Sequence, residues 1–342
     1  MNCGSGNKMF IFEKDKYFKE CHAVSAVRLD CGDYIATWFA GSREGNDDVN
    51  IWSSRYHSGM WSEPEMIISD QLPLWNPVMF YDSGVLALYY RLGADIGGWK
   101  SYVMYSHDDG KTFGKAEPLP DGFMGPIKNK PIKMSNGEWL CGSSIEPEWV
   151  SIVEIYSPLD NTWKGKTVLR APGSSVNKGI IQPALWESEP GKVHAVMRSA
   201  LCEIYRADSN DYGRTWNSPY PTGLPSNNSG IDVARLPGGE LVLAYNPIAE
   251  NWGKRSPLIL SMSLDNGMTW PYHYTLEKEE MKYEDNRYAG RYSYPAVIPV
   301  PDGVACFYTH CRNRIRGQIV SVEQIKQGDA VVSGLGLSVC TC

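Results

Sequence analysis

The sequence predicts an all-β protein folded as a six-bladed β-propeller. Three observations lead to this prediction: a composition rich in aromatic residues and glycine, a recurring eight-residue motif, and a nearly constant spacing between the copies of that motif. The 342 residues include 12 Trp, 20 Tyr and 33 Gly. Aromatic side chains favour strands and glycine favours tight turns, so this mixture is typical of a chain of short strands.

The recurring motif reads Ser-x-Asp-x-Gly-x-Thr-aromatic. Full copies occupy residues 106–113, 209–216 and 263–270, and degraded copies occupy 58–61 and 160–163. Their closing aromatic residues are separated by 52, 50, 53 and 54 positions. That period matches one four-stranded propeller blade with its loops.

The motif itself is predicted to be structural. Its Ser and Asp side chains can accept hydrogen bonds from nearby backbone N–H groups and hold a turn. Its Gly supplies a backbone conformation with positive φ. The closing aromatic residue is then free to pack between neighbouring blades, and no catalytic role is assigned to the motif.

Strand-like runs precede each copy of the motif. In the first unit they cover 23–29, 34–39 and 49–53, and the turn residues 30–33 separate the first two runs. The later units are predicted to begin near Asn76, Lys128, Gln182, Ile231 and Tyr292.

The sixth unit lacks the motif but carries strand-like runs at 294–300 and 304–309. We expect residues 9–12 to supply its outer strand, so that residues 1–342 form a single propeller domain closed by the N-terminal strand. Few stretches have helical character, and 322–326 is expected to form a short turn.

The overall charge narrows the class of ligand. A net charge of −6 argues against a nucleic-acid binder, which normally presents a basic surface. No stretch approaches the roughly 18 apolar residues of a membrane-spanning helix, and residues 1–8 contain no apolar run of a secretory signal. We therefore expect no membrane-spanning segment. The predicted compartment is cytoplasmic or unknown.

The nine cysteines are scattered along the chain, without the paired spacing of a metal site. Free thiols in a reducing compartment are the expected state. Neither a metal nor another cofactor is predicted.

The innermost strands of a propeller line its central channel, and functional side chains gather at one mouth of it. The polar residues at the start of the first strand of each unit are His22, Asn76, Lys130, Gln182, Asp232 and Tyr292. The polar residues at the end of the second strand are Arg43, Arg91, Glu146, Arg198, Asn246 and Arg312. Several arginines in one ring imply an anionic ligand, because a guanidinium binds a carboxylate through two parallel hydrogen bonds.

The motif copies, the blade period and the central arginines resemble the sialidase superfamily, and more closely its BNR-repeat (Asp-box) neuraminidase-like branch. The stretches that carry the resemblance are 21–23 with 38–45, 125–131, 228–232 and 292–296. The resemblance implies a sialidase-like propeller and an exo-glycosidase that hydrolyses a terminal acidic sugar from a glycan. In that family three arginines bind the carboxylate, a Tyr assisted by a Glu attacks the anomeric carbon, and an Asp is the acid/base.

Three family residues have matches in this sequence. Arg198, in the run Val-Met-Arg-Ser at 196–199, matches the second arginine. Arg255 follows the pair Asn246-Pro247 and matches the third. Tyr292 stands in a Tyr-Ser pair that opens the last unit and matches the nucleophile.

Three departures from the family pattern are visible. His22 stands where the first arginine is expected, and Ile181 stands where the Glu that assists the Tyr is expected. The loop at 43–48 leaves Glu44 and Asp48 as alternatives for the acid/base. His22 is itself a candidate, either as a protonated carboxylate ligand or as an acid/base near neutral pH.

Further substrate contacts are expected from polar residues around the same mouth. They are Arg43, Arg91, Lys128, Lys130, Gln182, Asn246 and Arg291. Strand alternation would place Lys128 and Lys130 on one face and Asn129 on the other. Asp232 is expected either to pair with an arginine of the ring or to touch the substrate.

The resemblance leaves the chemistry open among three alternatives. One is hydrolysis of a sialic acid or of a related 2-keto sugar acid. Another is a uronate-glycan lyase or rhamnosidase-type propeller enzyme that uses a central His, here His22. The remaining one is a glycan-binding propeller without catalysis.

Overall fold

Six antiparallel sheets form a ring in the computed structural model, which describes residues 8–278, 288 and 290–328. The predicted six-bladed β-propeller is therefore confirmed. In chain order the strands are β1 (Met9–Phe10), β2 (Glu20–Arg28), β3 (Tyr34–Gly41), β4 (Asn50–His57), β5 (Met60–Trp61), β6 (Glu65–Ile68), β7 (Leu74–Asp82), β8 (Val85–Leu92), β9 (Lys100–Ser106), β10 (Glu117–Pro118), β11 (Ile132–Lys133), β12 (Trp139–Ile145), β13 (Val150–Ser157), β14 (Thr162–Leu169), β15 (Ile180–Glu189), β16 (Lys192–Ser199), β17 (Glu203–Ser209), β18 (Tyr220–Pro225), β19 (Asp232–Arg235), β20 (Leu241–Tyr245), β21 (Leu258–Ser263), β22 (Tyr272–Glu277), β23 (Tyr292–Val300), β24 (Gly303–His310) and β25 (Arg314–Ser321).

The blades follow the chain order. Strands β2–β6 form the first blade, β7–β10 the second, β11–β14 the third, β15–β18 the fourth and β19–β22 the fifth. The sixth contains β23, β24, β25 and, as its outermost strand, β1. Met9 lies opposite Gly317 in that antiparallel pair, so the two ends of the described chain meet in one sheet.

Helical structure is confined to short segments. Two single-turn 3-10 helices cover Ile96–Gly98 and Glu146–Glu148. A helix, α1 (Val322–Gln327), stands where the sequence predicts a short turn, and Ser321 caps it by accepting from the backbone N–H of Gln324. Within the described residues, no helix is long and apolar enough to span a membrane.

The recurring motif has the structural role predicted for it. In the second blade, Ser106 Oγ accepts from Gly110 N at 2.8 Å. Asp108 accepts from the backbone N–H and the hydroxyl of Thr112 at 2.9 and 2.6 Å. Phe113 then packs against a cluster drawn from the first and second blades. The motif thus closes a turn and joins two neighbouring blades.

The inner strands carry β-bulges where they begin. The register of β2 with β3, β7 with β8, β15 with β16 and β23 with β24 skips two residues near the strand start. The first skipped residues are Ala23, Asn76, Gln182 and Tyr294, and all four have positive φ, between 39° and 58°. Bulges redirect side chains and occur next to functional sites, and these four lie at the same mouth of the channel.

The channel is crossed by hydrogen bonds from the segment before β11. Lys128 Nζ donates to the carbonyls of Ile231, at 2.8 Å, and of Pro295, which lie in two other blades. Lys128 also donates to Asn129 Oδ1 at 2.8 Å. The strand alternation expected for these residues was wrong, because β11 begins only at Ile132.

Two buried charges hold the backbone that leads into this segment. Glu154 accepts from the N–H groups of Met124 and Gly125 at 3.0 and 2.6 Å. Arg91 donates to the carbonyls of Gly125 and Pro126 at 3.1 and 2.8 Å. Burial raises the pKa of Glu154 to about 7, although the two N–H groups and Arg91 favour its charged form.

The raised pKa of Glu154 predicts a pH-dependent contribution to stability. Between about pH 4.5 and 7 the folded protein holds this proton more tightly than the unfolded chain, so the contribution to the free energy of unfolding falls as pH rises. The slope is at most about 1.4 kcal/mol per pH unit. Urea unfolding of wild type and Glu154→Gln should show that the wild type loses stability relative to the variant over this range.

The exposed Glu65 supplies the control. The difference between wild type and Glu65→Gln should stay flat over the same pH range. A flat difference for Glu154→Gln as well would contradict the assignment.

Candidate functional site

Tyr294 lies at the centre of a cluster of cationic groups at the bulged mouth of the channel. Arg198 Nη1 donates to its hydroxyl at 2.8 Å. The guanidinium groups of Arg198 and Arg255 lie 5.6 and 5.7 Å from the centroid of its ring. Lys128 Nζ lies 6.0 Å from that centroid, and the centroid of the His22 ring is 4.1 Å away. Two arginines and an imidazole therefore converge on one phenol.

Arg255 reaches the cluster from the loop between β20 and β21. It donates to Ser293 Oγ at 3.2 Å. Burial lowers its pKa to about 10, and the positive charges of Arg312, Arg198 and Arg291 add to that shift, while Tyr294 opposes it. Like charges within a few ångströms of one another lower the pKa of a cationic group in this way.

Arg312, between β24 and β25, is the third arginine of the cluster. Its backbone carbonyl accepts from Cys21 N at 2.7 Å, so it lies beside the strand that carries His22. Its Nη1 is 2.7 Å from Glu44 Oε2. Arg312 belongs to the sixth blade. It lies next to His22 of the first blade, the position where the family pattern has an arginine and this sequence does not.

The surroundings of His22 disfavour its charged form. It is 2% exposed, and its Nδ1 lies 3.0 Å from Thr309 Oγ1. Burial, followed by the charges of Arg312, Arg255 and Arg198, holds its pKa well below the ordinary value. Of the two roles predicted for His22, a protonated carboxylate ligand or an acid/base, the lowered pKa favours that of a base.

The two carboxylates of the 43–48 loop have different places. Asp48 accepts from the backbone N–H and the hydroxyl of Ser42, both at 2.8 Å, and so closes the loop on itself. Glu44 instead reaches the cluster and pairs with Arg312. Of the two acid/base candidates, the structure brings Glu44 to the arginines.

Tyr292, the predicted nucleophile, packs elsewhere. It is 1% exposed, belongs to the core cluster of the fifth and sixth blades, and has its ring 5.0 Å from that of His310. Tyr294, two residues later, is the ring that Arg198 and Arg255 contact. Tyr294 takes the place beside the arginines that was predicted for Tyr292, because the register of β23 with β24 shifts after Ser293 and redirects the chain.

A sequence signal for Tyr294 exists but was missed. Asn76, Gln182 and Tyr294 each precede a proline and occupy the bulge of an inner strand. Aligning these dipeptides would have placed Tyr294 in register with Gln182. The same alignment shows that Gln182, and not the buried Ile181, stands at the site on the fourth blade.

Four other residues that were predicted to contact the substrate lie behind the mouth of the channel. Arg91 is fully buried and bonded to carbonyls, so it has no surface to offer a ligand. Asn246 donates to the carbonyls of Pro257 and Tyr292. Lys128 bridges backbone carbonyls, and Lys130 Nζ lies 2.9 Å from Asp232 Oδ2. These residues support the site from behind. Asp232, which was expected either to pair with an arginine or to touch the substrate, pairs with Lys130.

The two remaining predicted contacts, Arg43 and Arg291, are exposed. Arg43 lies on the same loop as Glu44. Arg291 and Arg312 lie 5.4 and 5.3 Å from the centroid of the Tyr288 ring, which both guanidinium groups face.

Two tryptophans that the sequence reasoning missed cover Arg198. Trp149 lies in the loop after β12, and Trp252 lies in the loop after β20. Their ring centroids are 5.4 and 6.0 Å from the guanidinium and 5.7 Å from each other. Trp252 is 62% exposed, so one face of the site presents a large apolar surface. No sequence pattern brings these two loops together.

Among the residues that the structure describes, no group of three or more His, Cys, Asp or Glu could hold a metal ion.

The sequence pattern defined for the BNR repeat-like domain family matches residues 32–308. None of the curated proteins matches the sequence. A protein of unknown function from Dyadobacter fermentans has a TM-score of 0.70 at 17% identity, over 92% of this chain and 97% of that one. The NanB sialidase of Streptococcus pneumoniae has a TM-score of 0.71 at 12% identity, over 93% and 71%.

The sialidase of Trypanosoma rangeli has a TM-score of 0.68 at 14% identity and covers 94% of this chain and 61% of that one. At such identities the similarity establishes the fold alone. It confirms the resemblance to sialidase-like propellers.

The environment of His22 predicts its protonation state. Because burial and three arginines lower its pKa, ¹⁵N chemical shifts should report a neutral imidazole at pH values where an exposed histidine is already protonated. His22→Asn identifies the resonance. A titration of that resonance with a midpoint near the ordinary histidine value would show that the arginines lie farther away than described.

Proposed function

The chain belongs to the family of BNR repeat-like domains, and from this membership and the charge of the site we propose that it processes glycans that end in an acidic sugar. In this proposal Arg198, Arg255 and Arg312 bind the carboxylate of the terminal sugar. The proposed reaction is hydrolysis of the bond between that sugar and the rest of the glycan.

The observation that carries the proposal is the excess of positive charge at Tyr294 among the residues that the structure describes. Arg198 is 2% exposed and is hydrogen-bonded to neutral groups. Arg255 has its pKa lowered by burial and by other arginines. Burying charge without a counter-charge is costly. A carboxylate that enters the cluster offsets this cost and is held by charge-assisted hydrogen bonds.

Tyr294 is the proposed nucleophile and Glu44 the proposed acid. The phenol oxygen of Tyr294 bonds to the anomeric carbon while the glycosidic bond breaks. In this proposal the substrate carboxylate displaces Glu44 from Arg312 on binding, and Glu44, once it has taken a proton from solvent, gives that proton to the leaving oxygen. The phenol proton passes to neutral His22, against whose ring Tyr294 lies. A water molecule then releases the sugar from Tyr294. Trp149 and Trp252 are expected to contact the rest of the glycan.

A second reaction is favoured by a specific observation at the same site. An amide, Gln182, is bonded to Arg198, and the base against the Tyr294 ring is the neutral His22. This arrangement suits β-elimination from a uronate-containing glycan, with the arginines neutralising the uronate. His22 would remove the proton next to the carboxylate, and Tyr294 would protonate the leaving oxygen, which produces an unsaturated sugar.

The first test is release of fluorophore from the methylumbelliferyl glycoside of N-acetylneuraminate. Tyr294→Phe should lower kcat by about 10²-fold or more, since a positioned catalytic group typically contributes that much. Tyr292→Phe, the matched control in the core, should stay within about tenfold of wild type. Arg198→Ala should raise KM at least tenfold through loss of a charged hydrogen bond.

The outcomes separate the alternatives. Equal loss in Tyr292→Phe and Tyr294→Phe would contradict the role of Tyr294. Without release from neuraminate or other 2-keto sugar acids, uronate glycans are tested for a product that absorbs in the ultraviolet, with His22→Ala as the inactive variant. If calorimetry shows binding of acidic glycans and no glycan is turned over, the protein is a glycan-binding propeller without catalytic activity.

A further inference from the structure

We infer that Gln182 is a specificity-determining residue that keeps the charge of Arg198 available to an anionic ligand, and that Glu146 is the residue that positions the Gln182 amide. The inference rests on the proposed function, because it concerns the same carboxylate site. It adds a requirement that the family resemblance does not contain: an amide, and not a carboxylate, must stand at position 182.

The hydrogen bonds of Arg198 go to neutral acceptors. Its Nη1 donates to Gln182 Oε1 at 3.1 Å and to the Tyr294 hydroxyl at 2.8 Å. Its Nε is 3.3 Å from Asn228 Oδ1. Two amide oxygens and a phenol thus orient the guanidinium without cancelling its charge. A carboxylate would both orient the guanidinium of Arg198 and neutralise its charge, whereas these neutral acceptors only orient it.

The direction of the Gln182 amide is set by Glu146. Gln182 Nε2 donates to Glu146 Oε1 at 3.1 Å, and that oxygen also accepts from Ser144 Oγ at 2.7 Å. An ionised carboxylate only accepts hydrogen bonds, and a guanidinium only donates them. The amide nitrogen must therefore face Glu146 and the amide oxygen must face Arg198. The Gln182 side chain therefore lies between the negative charge of Glu146 and the guanidinium of Arg198.

The backbone leaves Gln182 little freedom. It occupies the bulge of β15 with a φ of 58°, and Pro183 follows it. Its carbonyl accepts from Asn129 Nδ2 at 2.9 Å. The residue is 2% exposed. A side chain at this position is therefore aimed at Arg198 by the main chain, and its chemical type determines what the arginine meets.

A carboxylate at position 182 would change the site in a definite way. It would form a buried ion pair with Arg198 and would compete with the ligand for the same guanidinium. With glutamine, Arg198 is paired with no carboxylate of the described residues, and its charge remains available to a ligand. The site therefore gains affinity for anions by lacking a negative charge beside its most buried arginine.

The test is calorimetric titration of three probes, N-acetylneuraminate, D-glucuronate and sulfate, into wild type and variants at low salt. Gln182→Glu should weaken binding of every probe that the wild type binds by at least tenfold. Ser58→Asp adds the same charge at an exposed turn of the first blade and should leave affinity within twofold. Melting temperatures show whether each variant is folded.

Glu146 is tested by a pair of variants. Glu146→Leu removes the acceptor and frees the Gln182 amide to turn, so binding should weaken at least fivefold. Glu146→Gln keeps an acceptor oxygen and should restore wild-type affinity. Equal weakening in both variants would mean that an acceptor oxygen at position 146 is not what orients the Gln182 amide, and would overturn this part of the inference.

The probes separate this inference from the proposed function. If the wild type binds sulfate but neither sugar acid, the proposed function fails, and the effect of Gln182→Glu on sulfate still decides the inference. If Gln182→Glu binds the probes as tightly as the wild type, the inference is overturned while the proposed function stands. If the wild type binds no anion, both are overturned.

Discussion

Repulsion among buried cations is the constraint on which the site depends. Arg198, Arg255 and Arg312 converge at one mouth of the channel. Burial, and then the charges of the neighbouring arginines, lower the pKa values of Arg255 and His22. Such a cluster persists only if the surrounding structure holds each group in place. Arg198 lies near the end of β16, which is paired with β15 on one edge and with β17 on the other. The backbone carbonyls of Arg255 and Arg312 accept hydrogen bonds from the N–H groups of Tyr292 and Cys21, which fix the two loops that carry these arginines.

The buried cationic side chains are surrounded mainly by neutral hydrogen-bond acceptors. Backbone carbonyls surround Arg91 and Lys128, and aromatic faces and amide oxygens surround Arg198. Glu44 is a carboxylate that pairs directly with an arginine of the cluster, and it comes from a loop at the mouth. The arrangement keeps a net attraction for anions while satisfying the hydrogen-bonding capacity of the buried donors.

The proposed reactions share the binding of a carboxylate and differ in the chemical step after binding. Hydrolysis uses Tyr294 as the nucleophile, whereas elimination uses it as the acid with His22 as the base. Both depend on a phenol between arginines, and both place the remainder of the glycan near Trp149 and Trp252. The choice between them turns on the sugar, since only a uronate has an acidic proton next to its carboxylate.

Local sequence patterns were enough to predict the architecture and part of the binding site. The Asp-box copies and their period predicted the blades because each motif closes a turn through contacts within a few residues, which a local pattern can record. Arg198 and Arg255 were predicted from the resemblance, because each stands in a short run of the family pattern, and the structure places both guanidinium groups against the Tyr294 ring.

The rest of the site depends on how the blades are arranged in three dimensions. Tyr294 replaced Tyr292 because a bulge shifts the chain after Ser293, and bulges are not visible in strand periodicity. Arg312 joined the cluster, and Glu44 rather than Asp48 reached it, because both contacts cross between blades. Contacts between residues far apart in sequence depend on how the ring closes, and no local run of residues contains that information.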